Sequence, residues 1–431
     1  MKRYPAYKPS SVQWLGEIPR HFEFLPLKRF VKINMATLSE TVSPGYELQY
    51  LDIGNVDSSG ISGELQGFKF SDAPSRARRI IKPGDTVIST VRTYLKAIAH
   101  IPECEDNWIA STGFAVLTPE AGTLPKYVSY IIRSDGFIDS VTKESKGVNY
   151  PAITSVELGN LKVVATRSLE EQTAIVSYLD RKNAEIDGFV ASKRKLIALL
   201  NEERAAFIQK IVLRGLNPDA PMKQTGAMFV GEVPAHWEVK RAKYFFSEID
   251  ERSESGDEEL LSVSHITGVT PRSEKNVNMF LAESYEGSKV CIPGDLVINT
   301  MWAWMGAMGV SRHRGIVSPS YGVYRQRSSS FLPEYLDHLA RAKSYIAEYI
   351  CRSTGIQESR LRLYPDQFFN VRMICPPLSE QRAIVTEIEE QSQRIDGAIS
   401  RIEREIELIN EYRTALISEV VTGKIDVRET N

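Results

Sequence analysis

The chain has 431 residues and no uninterrupted apolar run of about 18, the length that a membrane-spanning helix requires. A membrane partner is therefore not expected. Its four cysteines (Cys104, Cys291, Cys351 and Cys375) lie far apart with no CxxC pair. They suit neither a zinc site nor a disulfide framework, and the cytoplasm is the expected compartment. The opening Met1-Lys2-Arg3-Tyr4-Pro5 has no apolar core behind its charges, so it does not read as a signal peptide. Basic excess is missing too: 53 Lys and Arg face 55 Asp and Glu, a net charge of −2. Any surface for nucleic acid must then be local, on one side of a domain.

Catalytic signatures are also absent. There is no GxxxxGK[ST] phosphate loop, no HExxH and no GxSxG. Cys375-Pro376-Pro377-Leu378 lacks the polar head and the aromatic of an Asn-Pro-Pro-aromatic or Asp-Pro-Pro-aromatic run. No catalytic residue, no metal ligand and no bound cofactor are expected in this chain. Asp85 and Asp295 sit beside turns in repeated segments, where a structural role is expected over metal binding.

What is present is a repeat. Trp14-Leu15-Gly16-Glu17-Ile18-Pro19-Arg20-His21-Phe22 returns as Phe229-Val230-Gly231-Glu232-Val233-Pro234-Ala235-His236-Trp237. Pro83-Gly84-Asp85-Thr86-Val87-Ile88 returns as Pro293-Gly294-Asp295-Leu296-Val297-Ile298, and Leu169-Glu170-Glu171-Gln172 as Leu378-Ser379-Glu380-Gln381. Three ordered matches at nearly one period identify a tandem duplication. Segments 169–212 and 378–421 share 17 of 44 positions without a gap, whereas elsewhere the halves agree only in short anchors. Each half is thus a variable globular region of about 165 residues followed by a repeated element of about 45. His21 and His236 match across the repeat and are read as structural.

The repeated element has the period of a coiled coil. Ile388, Ile395, Ile402, Ile409 and Leu416 recur every seven residues, and Leu179, Ile186, Leu200 and Phe207 follow in the first copy, with Ile197 on the second seam. Asn183, in the register of Ser392, and Arg204, in that of Arg413, are polar seam positions expected to lock the register. Pro376-Pro377 marks the start of the second helix. Connectivity makes the pair antiparallel, with the C-terminus beside the N-terminal domain. At about 1.5 Å per residue, 44 residues would span roughly 66 Å. The organisation expected is a domain over 1–165, a spacer helix over 166–215, a second domain over 216–375, a second spacer helix over 376–424 and a tail over 425–431. The fold class is mixed α+β (α/β) domains in two copies, separated by two long helices with pseudo-twofold symmetry.

Two related modules at a fixed separation suit duplex DNA, whose equivalent grooves recur every 34–36 Å or so. In the first domain 47–53 and 85–90 read as strands and 124–140 as a helix, with a counterpart at 332–350. Candidate DNA contacts are Arg76, Arg78 and Arg79, then Arg92, Tyr94 and Lys96, then Lys143, Ser145, Lys146, Asn149 and Tyr150. In the second half they are Arg312, Arg314, Ser353, Thr354, Gln357 and Arg360. Arg pairs with guanine and Asn or Gln with adenine, whereas Lys and Ser mostly hold phosphate. Each residue singly could also be a solvated surface charge. Trp302 and Trp304 stand where the first half has Arg92 and Tyr94. Their spacing of two puts both on one face of a strand, which suits core packing, with contact to DNA or a partner as the other reading.

These features together resemble the specificity subunits of type I restriction-modification enzymes: the Trp-x-Gly-Glu-Ile-Pro-x-His opening, the Pro-Gly-Asp strand, the Ser-x-Gly-type loop and the Leu-x-Glu-Gln-x-x-Ile helix start. The resemblance covers essentially the whole chain. It implies that each variable region is a target recognition domain reading half of an asymmetric, interrupted DNA site. The helices would set the gap and dock two modification (methyltransferase) subunits. S-adenosylmethionine would belong to those subunits, and ATP and Mg to the restriction (translocase and nuclease) subunits. Two other readings are a nuclease or fused methylase, which bare-protein activity would reveal, and a protein-binding scaffold without a DNA role. A salt-dependent shift on DNA separates the scaffold from the specificity subunit.

Overall fold

The duplication visible in the sequence reappears in the backbone. The computed structural model describes residues 2–10, 12, 15–57, 60–274, 284–355 and 361–428. Among them are eight α-helices: α1 (Pro125–Ile132), α2 (Asp135–Glu144), α3 (Ser155–Asn160), α4 (Leu169–Arg214), α5 (Pro333–Ala340), α6 (Lys343–Arg352), α7 (Pro365–Phe369) and α8 (Leu378–Val421). Two compact units divide the chain, one of residues 1–194 with 403–431 and the other of residues 195–402. Each unit therefore takes a stretch of both long helices.

The first unit contains a four-stranded sheet in the order Val31–Ile33, Phe114–Pro119, Thr86–Ser89, Ile98–His100, all antiparallel. The second contains its counterpart: Phe246–Glu248, Gly322–Gln326, Leu296–Ile298, Met308–Val310. The central strand after each Pro-Gly-Asp turn is wholly buried, which suits its apolar residues Val87 and Ile88 in the first copy and Leu296, Val297 and Ile298 in the second. Beyond this sheet the units differ. The first adds a mixed four-stranded sheet of Gln66–Lys69, Glu47–Leu51, Trp108–Ser111 and Ala77–Ile80, in which Glu47–Leu51 and Trp108–Ser111 run parallel. In its place the second has, among the described residues, two strand pairs joined by a parallel bridge between Leu260 and Ile316.

The anchors shared by both halves prove to be fastenings. Asp85 accepts the Lys82 amide and the Thr118 hydroxyl, and Asp295 accepts the Ile292 amide and both arms of Arg325. His21 Nε2 lies 2.9 Å from the buried Glu171 carboxylate, and His236 contacts Glu380 in the same way. Each histidine so ties the Gly-Glu-x-Pro hairpin to the first turn of a long helix. Gln172 and Gln381 are fully buried at the same place in the two copies. Gln172 accepts the Leu124 amide that starts α1 and donates to the carbonyls of Gly122 and Thr166. Gln381 likewise accepts the Leu332 amide that starts α5 and donates to those of Ser330 and Pro376.

Two sequence expectations need correction. Residues 124–140 and 332–350 are not single helices but the pairs α1–α2 and α5–α6. At Ser134 and Ala342 the backbone turns extended (ψ 138° and 139°), and each residue's carbonyl caps the next helix. The polar seam residues also find partners, within their own units, other than their repeat equivalents. Asn183 donates to the Tyr130 hydroxyl, which itself bonds Asp180 at 2.5 Å. Arg413 pairs with Asp187 at 2.5 Å in the first unit, and Arg204 with Asp396 at 2.6 Å in the second. These two ion pairs are repeat equivalents of one another.

Within the first unit, the Asp187–Arg413 and Lys193–Glu405 pairs advance along α4 while retreating along α8, so the helices are antiparallel. Among the seam residues, Leu179, Ile186, Ile388, Ile395, Ile402 and Leu416 are buried and Ile197, Leu200, Phe207 and Ile409 half-buried. Leu179 and Leu416 share one apolar core with the first domain, and Ile211 and Ile388 another with the second. The C-terminal segment lies against the N-terminus: the Asp426 amide donates to the Lys2 carbonyl and the Tyr7 hydroxyl to that of Gly423.

Candidate nucleic-acid interface

Each wholly buried strand ends in a short 3₁₀ turn, Thr93–Leu95 in the first unit and Ala303–Met305 in the second. Beside each turn lies a second loop, closed by a reciprocal backbone pair. Lys146 and Ala152 exchange both hydrogen bonds, at 2.8 and 2.9 Å, and Thr354 and Arg362 do the same at 2.9 Å. The loops are fastened to the strand ends alike: the Ile153 amide donates to Thr90 and the Leu363 amide to Thr300. The hydroxyls of Ser145 and Ser353 cap the ends of α2 and α6 through the carbonyls of Val141 and Tyr349. Ser145 also bonds Thr93 at 2.8 Å, closing the first loop onto its turn. Among the described residues, both units thus fasten a turn to a loop closure in the same way, a two-part platform built from residues far apart in sequence.

In the first unit this platform gathers Arg92, Tyr94, Lys96, Ser145, Lys146, Asn149 and Tyr150. Arg92, Tyr94, Lys96, Asn149 and Tyr150 are exposed, and the Arg92 guanidinium sits 4.5 Å from the centre of the Tyr150 ring. Lys146 Nζ is 2.7 Å from Glu157, and this pairing raises the lysine while holding the Glu157 carboxyl down at about 2. Its charge is therefore partly countered at the site. Lys143 is exposed in the last turn of α2, just before the loop.

Arg76, Arg78 and Arg79 lie at and along the edge strand Ala77–Ile80 of the mixed sheet. The corner at 111–113 links them to the platform: the Thr112 amide donates to the Arg76 carbonyl and the Thr90 amide to that of Gly113. Arg76 is exposed; Arg78 lies over the Phe70 ring, and Arg79 reaches toward Thr37, so successive side chains leave the strand in different directions.

In the second unit the platform carries Trp302, Trp304, Ser353 and Thr354. The tryptophans are not on a strand, as their spacing suggested: Trp302 stands at the entrance to the 3₁₀ turn and Trp304 within it. Trp302 is half exposed, while Trp304 is partly buried and donates from Nε1 to the Met301 carbonyl. Arg312 and Arg314 do not join them. They occupy the turn between Met308–Val310 and Gly315–Val317, beside Gly294 and so at the opposite end of the central strand. Gln357 and Arg360 lie outside the described residues.

One residue of the second platform escaped the sequence reading. Arg362 forms the loop closure with Thr354 and points Nη2 toward the Met301 sulfur. Its neighbourhood, Arg360-Leu361-Arg362, carried the signal of a second basic residue beside Arg360. Elsewhere in the chain, burial pushes the Cys291 and Cys375 thiols up to about 11, which keeps both in the unreactive protonated form.

No family model matches the chain. It is 24% identical over 326 residues to the type I restriction enzyme MjaVIII specificity subunit of Methanocaldococcus jannaschii, covering 71% of each protein. Among solved structures, a chain from work on complex assembly and conformational transition of the type I R-M system superposes with a TM-score of 0.56 at 20% identity. That match covers 95% of this chain and 99% of the other. The HsdS subunit from Thermoanaerobacter tengcongensis matches at 22% identity and a TM-score of 0.48, over 95% and 98% of the two chains. The chain is thus similar in sequence to a type I restriction-enzyme specificity subunit and shares the fold of a solved chain from the type I R-M system.

Proposed function

We propose that this protein is the DNA-specificity subunit of a type I restriction-modification enzyme. Each domain reads one half of an asymmetric, interrupted site, and the helix pair sets the gap and docks two methyltransferase subunits. The observation that carries this reading is the repeated platform. Equivalent fastenings hold the same turn and loop closure in both domains, while the exposed side chains of the two turns differ. That is the arrangement expected of one scaffold reading two different half-sites. The relative's role as a specificity subunit supports it independently.

In this role the chain performs no chemical step. The adenine methylation would belong to the modification subunits with S-adenosylmethionine, and ATP-driven translocation and cleavage, with Mg, to the restriction subunits. Exposed charges on the long helices, such as Arg181, Lys195 and Glu403, with the half-buried Glu387, are then candidates for the docking faces.

The test is co-expression with the modification-subunit gene of the same system, followed by mapping of methylated adenines in the host DNA. An interrupted two-part motif supports the proposal and yields both half-sites. A stable complex that neither methylates nor binds DNA in a salt-dependent manner would overturn the DNA reading in favour of a protein-binding scaffold.

A further inference from the structure

The two platforms differ most at one position. Arg92 and Trp302 are repeat equivalents at the entrance to the 3₁₀ turn. Trp302 has φ −123°, an ordinary value, whereas Arg92 is left-handed, with φ 52° and ψ 49°. A β-carbon in that region costs about 1–2 kcal/mol. The conformation is held from both sides: the Arg92 amide donates to Pro151 at 2.8 Å and its carbonyl accepts from Leu95 at 2.9 Å. The Pro151 bond belongs to the neighbouring loop, so the strain is imposed where the two parts of the platform meet. Strain of this kind concentrates at functional sites.

The consequence is a positioned cation. Arg92 is exposed and, among the described residues, makes no ion pair; its guanidinium instead rests against Tyr150, itself 62% exposed. Lys146 beside it is countered by Glu157, and Arg78 lies over Phe70 with a bond to its neighbour's carbonyl. A phosphate contact tolerates a mobile, point-like charge. A strained backbone and a ring support are what planar, two-point recognition needs, because they remove rotamer freedom before binding.

We infer that Arg92, propped on Tyr150, is the guanine-reading residue of the first domain, donating to O6 and N7 of one guanine in the major groove. This rests on the DNA reading proposed above. Trp302 has no such fork, so the second domain reads its half-site by other chemistry.

The experiment uses the full chain assembled with its modification subunits and oligonucleotides carrying the mapped motif. Each guanine is replaced in turn by 7-deazaguanine, which lacks the N7 acceptor. For the wild type, one such replacement, in one half-site only, should weaken binding roughly 5- to 150-fold. In Arg92→Lys that replacement should have little further effect, while replacements in the other half-site stay additive. Tyr150→Leu, which leaves the guanidinium in place but removes its support, should lose a smaller part of the same discrimination. Full additivity at every guanine, or a motif without guanine in either half, would overturn the inference. So would an Arg92→Lys complex that keeps wild-type affinity, base discrimination and salt slope, because a lysine charge serves a phosphate contact equally well; the DNA reading would survive that result. A wild-type complex with no affinity for any DNA would overturn both.

Discussion

The turn at 92–96 and the turn at 302–306 occupy the same place in two copies of one sheet, yet they display opposite chemistry. The first shows Arg92, Tyr94 and Lys96 to solvent; the second shows Trp302 and Met305 and closes on Gly306. Even the closing residue differs in kind: Lys96 is left-handed at φ 53°, where its counterpart is a glycine at φ 82°. Behind both turns the bonded groups are the same: a buried aspartate in the preceding turn, a buried glutamine under the helix, and a half-exposed histidine on a glutamate. Duplication has kept what is buried and bonded and changed what is exposed. The reason is energetic, since a buried polar group stripped of its partners costs far more than a changed surface group.

The largest expected effect tests the shared part. Gln172→Ala and Gln381→Ala should each destabilise their own unit by about 2–4 kcal/mol, because each leaves a helix-start amide and two carbonyls without partners. Hydrogen exchange resolved by unit would show the loss on the mutated side. A loss below about 1 kcal/mol in either would mean that the glutamine is not a latch.

Next come the turns themselves. Gly306→Ala should cost about 2 kcal/mol, since the added carbon is left-handed and would stand 2.7 Å from Ile346 Cδ1. Lys96→Gly should have the opposite sign, a gain of about 0.5–1 kcal/mol once the greater freedom of glycine in the unfolded chain is set against the relieved strain. Denaturant titration of both variants checks the pair, and equal signs would refute the contrast.

The smallest effect is a difference in pH response. His338 in α5 stands where α1 has Tyr130. Burial, with Arg341 and Arg312 adding to it against Asp337 and Glu389, holds the His338 imidazole below its ordinary 6.5. The unfolded chain then takes up a proton first, so this group's contribution is intact above about pH 6.5 and is lost as the pH falls toward the folded value. Tyr130 does not titrate in that window, because burial and Asp180 push its hydroxyl upward. Stability measured from pH 7.5 to 5.5 should fall for the second unit, and His338→Gln should flatten that slope. A slope unchanged by the substitution would place the proton uptake elsewhere.

Much of the fold was legible because it is written in periodic or repeated residues. The strand expected over 47–53 is observed at Glu47–Leu51 and the one over 85–90 at Thr86–Ser89. The two long helices begin at the Leu-x-Glu-Gln motifs. What failed were readings that needed a partner to be known. Trp302 and Trp304 alternate like strand residues, but the sheet has already ended at Ile298 and the chain is turning. The helix expected over 124–140 had the apolar content of one helix, and only the extended backbone at Ser134 reveals two. Of the candidate site, the two loops around Arg92 and Tyr150 were named from composition. Their joining through the pairs at Val91, Lys146 and Ala152 was not visible in the sequence.

The sequence by itself therefore determined the duplication, the heptad helices and the division into repeated and variable segments, because these follow from local spacing and from comparing the chain with itself. Tertiary structure alone decided which charges pair across the helices, that Arg312 and Arg314 stand apart from the tryptophan turn, and that Arg92 rests on Tyr150. Such contacts join residues tens to hundreds of positions apart, and their energies depend on distance and burial, which no single segment of chain contains.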